Sequence, residues 1–284
     1  SNIVDDSQRR DFTMNAVYMT INGNIIDPIS GMKDLIHGQV RFIGEPEKRI
    51  HEDYLRVLRY FRFLSIYDEN LQSIDYDTVK ACSNAVHSLK ILSHNRVWGE
   101  LQRILLADNP YLVLKVMLSY GILDQILPFA TTEGLQRYLK IERKFESEFK
   151  EINRLAMLNI SFVKDWAKNF PLKKEQKRWL ERLLNNLKDS SSLRVKGYKY
   201  KKELATVAFA ILKSKSVTTL DKNDFAEIKL GSSRQFPVKS SDLIDCFCSS
   251  KELGDELKRL KEVWFASDLE LSRNELIAES KKNR

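Results

Sequence analysis

The pattern of apolar and polar residues changes character near residue 50. Before it, residues 14–20 (MNAVYMT) and 25–28 (IIDP) are apolar and β-prone, with the turn sequence NGN between them. This pattern is typical of a β-hairpin. A short helix is expected over residues 31–36, and another strand over residues 39–44 (QVRFIG). Residues 12–44 are therefore predicted to form a three-stranded part of a sheet, and such a piece without covering helices is a poor independent domain.

From Ile50 onward, apolar residues recur with a period of about 3.6, which indicates helices. Arg56, Arg59 and Arg62 follow at every third position and are expected to share one helix with Glu52 and Asp53. Later helix starts are expected near Asp75, Ser93 or Asn95, and Asn109-Pro110. We predict a mainly α fold, with a partial β-sheet at the N-terminus followed by a series of helices.

Composition narrows the class of protein. The chain has 284 residues, of which 43% are apolar and 30% charged, so it can bury a core and is not wholly disordered. It contains no run of about 18 apolar residues, so no membrane span is expected. Three cysteines, Cys82, Cys246 and Cys248, are too few for a disulfide scaffold. We therefore expect a reduced, cytoplasmic protein.

Positive charge is concentrated in residues 137–202, which carry a net charge of +11 within a chain of net charge +8. Such a block indicates a polyanionic partner, although a solvated helix face would have the same composition. Tyr198 and Tyr200 lie among the cations, an arrangement suited to stacking and phosphate contact. The candidate RNA-binding residues form two clusters: Lys173, Lys174, Lys177, Arg178, and Lys196, Lys199, Lys201, Lys202.

Paired charges are dense in two places: Arg9-Arg10-Asp11, and Asp53 with Arg56. On one helix, residues three apart are neighbours, so Asp53 and Arg56 would project together. A carboxylate beside a guanidinium offers acceptors next to a rigid set of donors, which can pair with the edge of a nucleobase. An ordinary surface salt bridge would show the same spacing.

Four segments resemble a known family. RRDFTMNA (9–16), DPISGMKDL (27–35), EDYLR (52–56) and SHNRVWGELQRIL (93–105) occur in the order found in class II tRNA nucleotidyltransferases (CCA-adding enzymes) and the related bacterial poly(A) polymerases. The second segment resembles a hinge motif usually written with two glycines, and Ser30 replaces the first of them. FPVKSSDL (236–243) resembles the family's tail, without its usual glycine.

The resemblance implies nucleotidyltransferase activity, tRNA 3′-terminal CCA addition, with tRNA, CTP and ATP as partners. Asp53 and Arg56 match the residues that pair with the incoming base in this family. Arg59 and Arg62 would hold the triphosphate, and Asp11 would lie near the ribose. Arg9 and Arg10 would also reach the nucleotide.

The same resemblance implies a Mg²⁺ cofactor, held by an Asp-x-Asp pair well upstream of RRDFT. Only eight residues precede Arg9, and Asp5 and Asp6 are adjacent, so on a strand they would point to opposite faces. Residues 75–77 (DYD) have the spacing of such a pair, but we interpret them as a helix start. No catalytic or metal-binding residue is identified in this chain. The ligands are expected in a missing N-terminal head segment, so the chain alone should be inactive, and a separate head chain is a possible partner.

Four segments are expected: the C-terminal part of a nucleotidyltransferase head (1–48), a helical neck with the nucleotide motif (49–130), a basic helical body (131–213) and a helical tail (214–284). A truncated chain, half of a split gene and a decayed remnant all fit this layout. The alternatives to CCA addition are poly(A) synthesis, CC- or A-addition, and a non-catalytic RNA-binding fragment. An exposed half sheet is expected to cause poor solubility or dimerisation.

Overall fold

The computed structural model of the chain describes residues 2–216, 221–244 and 249–282, and Cys246 and Cys248 lie outside them. The mainly α fold class is confirmed. None of the helices in these residues is long and apolar enough to cross a bilayer. The helices are α1 (Ile3–Arg9), α2 (Gly31–Ile36), α3 (Pro46–Glu52), α4 (Leu55–Tyr67), α5 (Tyr76–Asn84), α6 (His94–Leu106), α7 (Tyr111–Ser119), α8 (Ile122–Ile126), α9 (Leu135–Glu142), α10 (Lys150–Leu158), α11 (Val163–Asn169), α12 (Lys174–Lys188), α13 (Leu193–Tyr200), α14 (Lys202–Lys215), α15 (Lys222–Ser233), α16 (Ser250–Ala266) and α17 (Arg273–Lys282), with 3₁₀ turns at Thr13–Ala16, Val86–Ile91 and Ser240–Asp242.

The N-terminal β structure is smaller than the sequence pattern predicts. Strands β1 (Tyr18–Met19) and β2 (Ile25–Ile26) pair antiparallel across the expected turn, so the hairpin is confirmed. The predicted third strand over residues 39–44 is wrong, because only Phe42 forms a single bridge, to Phe12. The helix expected over residues 31–36 is confirmed as α2.

The helix that the pattern predicts through Glu52 and Arg62 is broken. α3 ends at Glu52, Asp53 is extended with φ −156° and ψ 106°, and α4 begins at Leu55. The Asp53 carboxylate accepts a hydrogen bond from the Leu55 amide at 3.1 Å, which caps the first turn of α4. The prediction that Asp53 and Arg56 are neighbours on one helix is therefore wrong.

The contacts within the chain divide it into two compact units. The first comprises Ser1–Lys140 and Glu148–Leu180, and the second comprises Ile141–Ser147 and Glu181–Arg284. The four-segment division expected from the sequence stays a prediction.

An aromatic cluster lies at the centre of the N-terminal part of the first unit. Phe12 is fully buried, with its ring centroid 4.8 Å from that of Phe42 and 5.0 Å from that of Phe63. Tyr60, on the same helix as Phe63, stacks on Phe42 at 5.9 Å. Burying one such side chain contributes roughly 1.5–3 kcal/mol. The cluster therefore holds the segment around Phe12 against α4.

Candidate functional site

Asp11 connects the RRDFT segment to α4. Its carboxylate accepts a hydrogen bond from Arg56 Nε at 2.7 Å and lies 2.5 Å from Arg59 Nε. The Asp11 and Arg56 side chains are each 12% exposed, whereas Arg59 is 34% exposed. Two segments 45 residues apart in sequence thus meet in one charged cluster.

Backbone pairing beside Phe12 aims the Asp11 carboxylate at α4. The Ile43 amide donates to the Asp11 carbonyl at 3.1 Å, and the Thr13 amide donates to the Arg41 carbonyl at 3.0 Å. Phe12 packs against Tyr60 and Phe63 of α4, and the Asp11 carboxylate meets Arg56 and Arg59, which lie four residues earlier on the same helix.

Arg49 is a further member of this cluster that the sequence analysis did not single out. Its Nη1 donates to Glu52 at 2.7 Å, and its Nη2 donates to the backbone carbonyls of Arg9 at 3.2 Å and Arg10 at 2.5 Å. The one signal in the sequence is a cation three residues before Glu52, a spacing that places both on one face of a helix. Arg49 thereby ties α3 to the RRDFT segment.

Glu52 completes the cluster from the end of α3. It lies 2.5 Å from Arg56 Nη1, which also donates to the Arg49 carbonyl at 2.6 Å. The hydrogen bond from Arg56 lowers the pKa of Glu52. Burial disfavours the charged form of Arg56, but the bonds to Glu52 and Asp11 outweigh it and raise the pKa of Arg56. Both shifts favour the ionised forms of Glu52 and Arg56.

Asp53 lies outside these pairs. Arg96, from the first turn of α6, donates from Nη2 to Asp53 Oδ2 at 2.7 Å. The Asp53 side chain is 35% exposed and that of Arg96 is 48% exposed. The structure thus pairs Asp53 with α6 and Arg56 with the RRDFT segment, and not with each other.

The remaining predicted nucleotide-binding residues differ in exposure. Arg62 is 14% exposed, and its Nε lies 2.5 Å from the buried Glu100. Arg9 is exposed at the end of α1. Arg10 is half exposed and pairs with Asp6 at 2.6 Å, and this bond, together with one from Tyr18, lowers the pKa of Asp6.

The carboxylates present do not fit a Mg²⁺ site. Magnesium requires oxygen ligands with free lone pairs in near-octahedral geometry. Asp6 is engaged by Arg10 and Tyr18, and Asp11 by two arginines. In the part of the chain that the structure describes, no three His, Cys, Asp or Glu side chains group to hold a metal ion. The 75–77 segment starts a helix as expected, since Asp75 accepts from the Asp77 amide at 3.0 Å.

The hinge-like segment packs directly beneath the RRDFT segment. Asp27 accepts hydrogen bonds from the amides of Gly31 at 2.7 Å and Met32 at 2.9 Å, which caps α2. Further along α2, the buried Asp34 binds the Thr13 hydroxyl and the Arg41 guanidinium. The Asp34 carboxylate of α2 and the Arg41 carbonyl therefore both hold Thr13 in place.

The basic residues of the first predicted cluster are exposed around the start of α12: Lys173, Lys174, Lys177 and Arg178. In the second cluster, Lys201 and Lys202 are exposed. Lys199 pairs with Asp189 at 3.3 Å and lies over the Phe265 ring at 4.8 Å. Lys196 is only 8% exposed, and burial lowers its pKa, so the structure does not place its ammonium group on a basic surface.

Two segments of the chain match known family models. Residues 1–41 match the family model "Poly A polymerase head domain", and residues 73–133 match "Probable RNA and SrmB-binding site of polymerase A". The chain is 29% identical to the mitochondrial CCA tRNA nucleotidyltransferase 1 of Mus musculus, over 98% of the chain and 66% of that relative. It is 36% identical to the CCA-adding enzyme of Blochmanniella floridana, over 44% of the chain and 30% of that relative.

Solved structures share the fold. The Thermotoga maritima CCA-adding enzyme complexed with tRNA has a TM-score of 0.69 at 19% identity, covering 99% of this chain and 74% of the other. The Bacillus stearothermophilus CCA-adding enzyme in complex with CTP has a TM-score of 0.64 at 22% identity, covering 99% and 74%.

The chain is a mainly helical protein with an arginine-rich junction between the RRDFT segment and α4, and it shares its fold with solved CCA-adding enzymes. The chain is similar to class II CCA-adding enzymes and poly(A) polymerases in two matched segments and in its fold. It spans 66% of the length of its mouse and human relatives.

Proposed function

We propose that the chain selects CTP and ATP and binds tRNA for 3′-terminal CCA addition. The observation that carries this proposal is the meeting of RRDFT and EDYLR at one surface, where Asp11 joins Arg56 and Arg59 beside the partly exposed Asp53. The names of the mammalian relatives and the CTP and tRNA complexes of structural neighbours support it.

The chemistry of the site suits a choice between bases. An ionised carboxylate can only accept hydrogen bonds, and a guanidinium can only donate them. Cytosine and adenine both present an exocyclic amino donor. Guanine presents a carbonyl acceptor at the same position, as do thymine and uracil, the base of UTP. Asp53 would therefore accept from CTP or ATP and repel GTP or UTP, while Arg56 would donate to a ring acceptor.

The phosphates would be held by the more exposed arginines of the same surface. Arg59 is the most exposed cation that contacts Asp11, and its fork geometry matches phosphate oxygens. Arg62, Arg9 and Arg10 complete the proposed set. Arg62 would act from a more buried position beside Glu100.

CCA-adding nucleotidyltransferases are generally metal-dependent, and we propose Mg²⁺ as the metal for this reaction. Such an ion activates the attacking hydroxyl and neutralises the departing pyrophosphate. The carboxylates described above do not fit that ion, so the roles assigned to this chain are base selection and RNA binding.

Nucleotide binding tests the first role. The purified chain is titrated with each of CTP, ATP, UTP and GTP, and we expect tighter binding of the first two. Asp53→Ala should abolish the preference and leave RNA binding unchanged. Lys80→Ala removes an exposed cation paired with Asp77 and serves as the control. Equal affinity of the unmodified chain for all four nucleotides would contradict the proposal.

Salt-dependent RNA binding tests the second role. Each phosphate contact contributes a salt slope of about 0.7–0.9, so replacing Lys173, Lys174 and Lys177 by alanine should reduce the slope for tRNA by about 2. The matched control replaces three exposed lysines outside both the basic block and residues 73–133: Lys33, Lys229 and Lys258. An unchanged slope in the first variant would remove these residues from the RNA surface.

The matched family models also carry the description of a poly(A) polymerase, which favours a second candidate function. Incorporation assays with a tRNA lacking its CCA end, labelled CTP or ATP and a separately supplied N-terminal head chain separate the two. CTP addition followed by a single ATP supports CCA addition, whereas repeated ATP addition without CTP supports poly(A) synthesis. RNA binding with no nucleotide preference would favour a non-catalytic RNA-binding fragment.

We further propose a cytoplasmic location. The mouse and human relatives are mitochondrial by name. Cell fractionation against markers of both compartments tests this, and recovery with mitochondria would contradict it.

A further inference from the structure

We propose that a cavity in the second unit binds a nucleoside monophosphate. The cavity has a volume of about 700 Å³ and is lined by the start of α14, the middle of α15 and residues 144–146, which follow α9. This volume lies within the roughly 300–1,000 Å³ typical of small-molecule sites. The described residues that line it all belong to the second unit, so the site is separate from the Asp11 cluster. The inference therefore goes beyond the proposed function.

Three exposed lysines line the cavity: Lys144, Lys202 and Lys229. In the part of the chain that the structure describes, none of the three forms an ion pair. They come from three different segments, so it is the fold that brings them together. A lysine ammonium group binds phosphate as a point charge. Unpaired lysines that converge on one cavity favour an anionic ligand.

The start of α14 adds to the positive charge at this cavity. The first amides of a helix attract anions, because they lack acceptors within the helix and carry the positive end of its dipole. Lys201 precedes α14, and it makes no side-chain capping hydrogen bond because an ammonium group has no acceptor. These amides are therefore open to an acceptor from a ligand.

Thr206 supplies a buried hydroxyl on the second turn of α14. It is only 6% exposed, and it lines the cavity. Among the described residues, its hydroxyl has no hydrogen-bond partner. Burying a polar group without a partner is unfavourable. A phosphate oxygen in the cavity would accept from this hydroxyl and so satisfy it.

The apolar part of the cavity is aromatic, and it comes from Phe145 and Phe225. Phe225 has a fixed position, because its ring meets that of Phe209 edge-on with centroids 5.5 Å apart. Phe209 itself belongs to the buried core of this unit. Nucleobases stack on aromatic side chains with little regard to sequence. An aromatic wall next to a phosphate site suits a nucleotide better than a simple anion.

Two carboxylates, Glu146 and Glu203, also line the cavity. Set against the three lysines, they leave a net charge of +1, which suits one phosphate group better than a polyphosphate or a nucleic acid strand. A carboxylate also accepts hydrogen bonds, and ribose hydroxyls and base amino groups donate them. The charges thus favour a monophosphate that carries a sugar and a base.

Isothermal titration calorimetry of the full chain with AMP tests the proposal, with inorganic phosphate and adenosine as partial ligands. AMP should bind more tightly than either part. Thr206→Val removes the hydroxyl and should raise the dissociation constant for AMP about tenfold, the lower end for a hydrogen bond to a charged group. Lys229→Ala should raise it by up to about fivefold, because an exposed ion pair is weaker.

The matched control for Lys229→Ala is Lys258→Ala, which removes an exposed lysine of the same unit that pairs with Asp255 at 3.3 Å. This control should leave AMP binding unchanged. Thermal unfolding without AMP separates binding from folding. Thr206→Val should not lower the melting temperature, because the hydroxyl has no partner to lose. If this variant does not fold, the exposed Lys229→Ala decides.

Absence of AMP binding, or AMP binding that Thr206→Val and Lys229→Ala leave unchanged, would overturn the proposal. Inorganic phosphate that binds as tightly as AMP would also overturn it, because the aromatic wall would then take no base. The same holds for a short single-stranded RNA that displaces AMP at equal concentration, since the cavity would then belong to an RNA surface.

The failure of this proposal and that of the proposed function are distinguishable. The titration with AMP is repeated on the Asp53→Ala chain, in which the proposed base-selecting residue is removed. AMP binding that disappears in this variant belongs to the Asp53 surface and overturns the cavity site. Equal affinity of the unmodified chain for CTP, ATP, UTP and GTP contradicts the proposed function alone.

Discussion

Gly31 and Ser30 are adjacent in sequence. Gly31→Ala should lower the free energy of unfolding, whereas Ser30→Gly should raise it. Gly31 is the first residue of α2 and lies against the backbone of the RRDFT segment. A Cβ on Gly31 would lie 2.0 Å from the Thr13 carbonyl oxygen and 2.7 Å from its carbon. These are backbone atoms, so Gly31→Ala must displace either α2 or the segment that carries Asp11. Overpacking typically costs roughly 1–3 kcal/mol, and we expect about 3 kcal/mol here because no flexible side chain can move aside.

Ser30 has the backbone conformation that glycine favours, with φ 61° and ψ 33°. The left-handed conformation costs an L-residue roughly 1–2 kcal/mol. A glycine at this position would also lower the free energy of unfolding by about 0.4–1 kcal/mol, because it gives the unfolded chain more conformational freedom. The Ser30 side chain makes no capping hydrogen bond that would be lost. Ser30→Gly should therefore raise the free energy of unfolding by about 0.5–1 kcal/mol.

Urea unfolding followed by tryptophan fluorescence measures both effects, since Trp98 and Trp166 are buried in the same unit. The CTP dissociation constant is measured on the folded fraction. Gly31→Ala should also weaken CTP, because Thr13 lies two residues from Asp11, whereas Ser30→Gly should leave it unchanged. A Gly31→Ala variant within about 0.5 kcal/mol of the unmodified chain, a typical bound for neutral surface changes, would refute the steric argument.

Three further variants test the charges. Asp11→Asn should lower the free energy of unfolding by about 2 kcal/mol. This is less than the loss of a fully buried ion pair would cost, because Arg56 retains its ion pair with Glu52. An unchanged midpoint in urea would contradict this prediction. Lys196→Met should raise the free energy of unfolding by about 1 kcal/mol, because a buried ammonium group is removed. A lower midpoint in urea would show that the ammonium group is stabilising. Burial opposes the ionisation of Asp189, but hydrogen bonds from Ser191 and Lys199 lower its pKa to about 2 from 3.8. The ionised Asp189 should stabilise the fold fully above pH 3.8, and this effect should be lost towards pH 2. The difference in free energy of unfolding between the unmodified chain and Asp189→Asn should therefore be constant from neutral to mildly acidic pH and shrink in strong acid.

The features that the sequence predicted well depend on a few neighbouring residues. The helix over residues 31–36, the hairpin across NGN and the cap at Asp75 are all set by local turn and capping chemistry. The family motifs were also recognisable, because their residue types and order are specific.

The features that the sequence did not predict depend on partners far away along the chain. The break at Asp53 leaves the helical period on both sides nearly intact, so periodicity does not reveal it. Arg96 is 43 residues from Asp53, and nothing in the sequence pairs them. Lys196 occupies a charged stretch but faces the interior of the second unit. Residues 39–44 look like a strand, but among the described residues their β-pairing is a single bridge, between Phe42 and Phe12.

The internal pairing of the site does not neutralise it. Seven arginines and five carboxylates form or border the cluster, which leaves a net charge of +2: Arg9, Arg10, Arg49, Arg56, Arg59, Arg62 and Arg96, with Asp6, Asp11, Glu52, Asp53 and Glu100. The carboxylates hold the guanidinium groups in fixed directions, so less side-chain entropy is lost when a ligand binds. The excess positive charge suits a polyphosphate, and the partly exposed Asp53 suits a donor on a base. This charge distribution supports the proposal that a nucleotide binds at this surface.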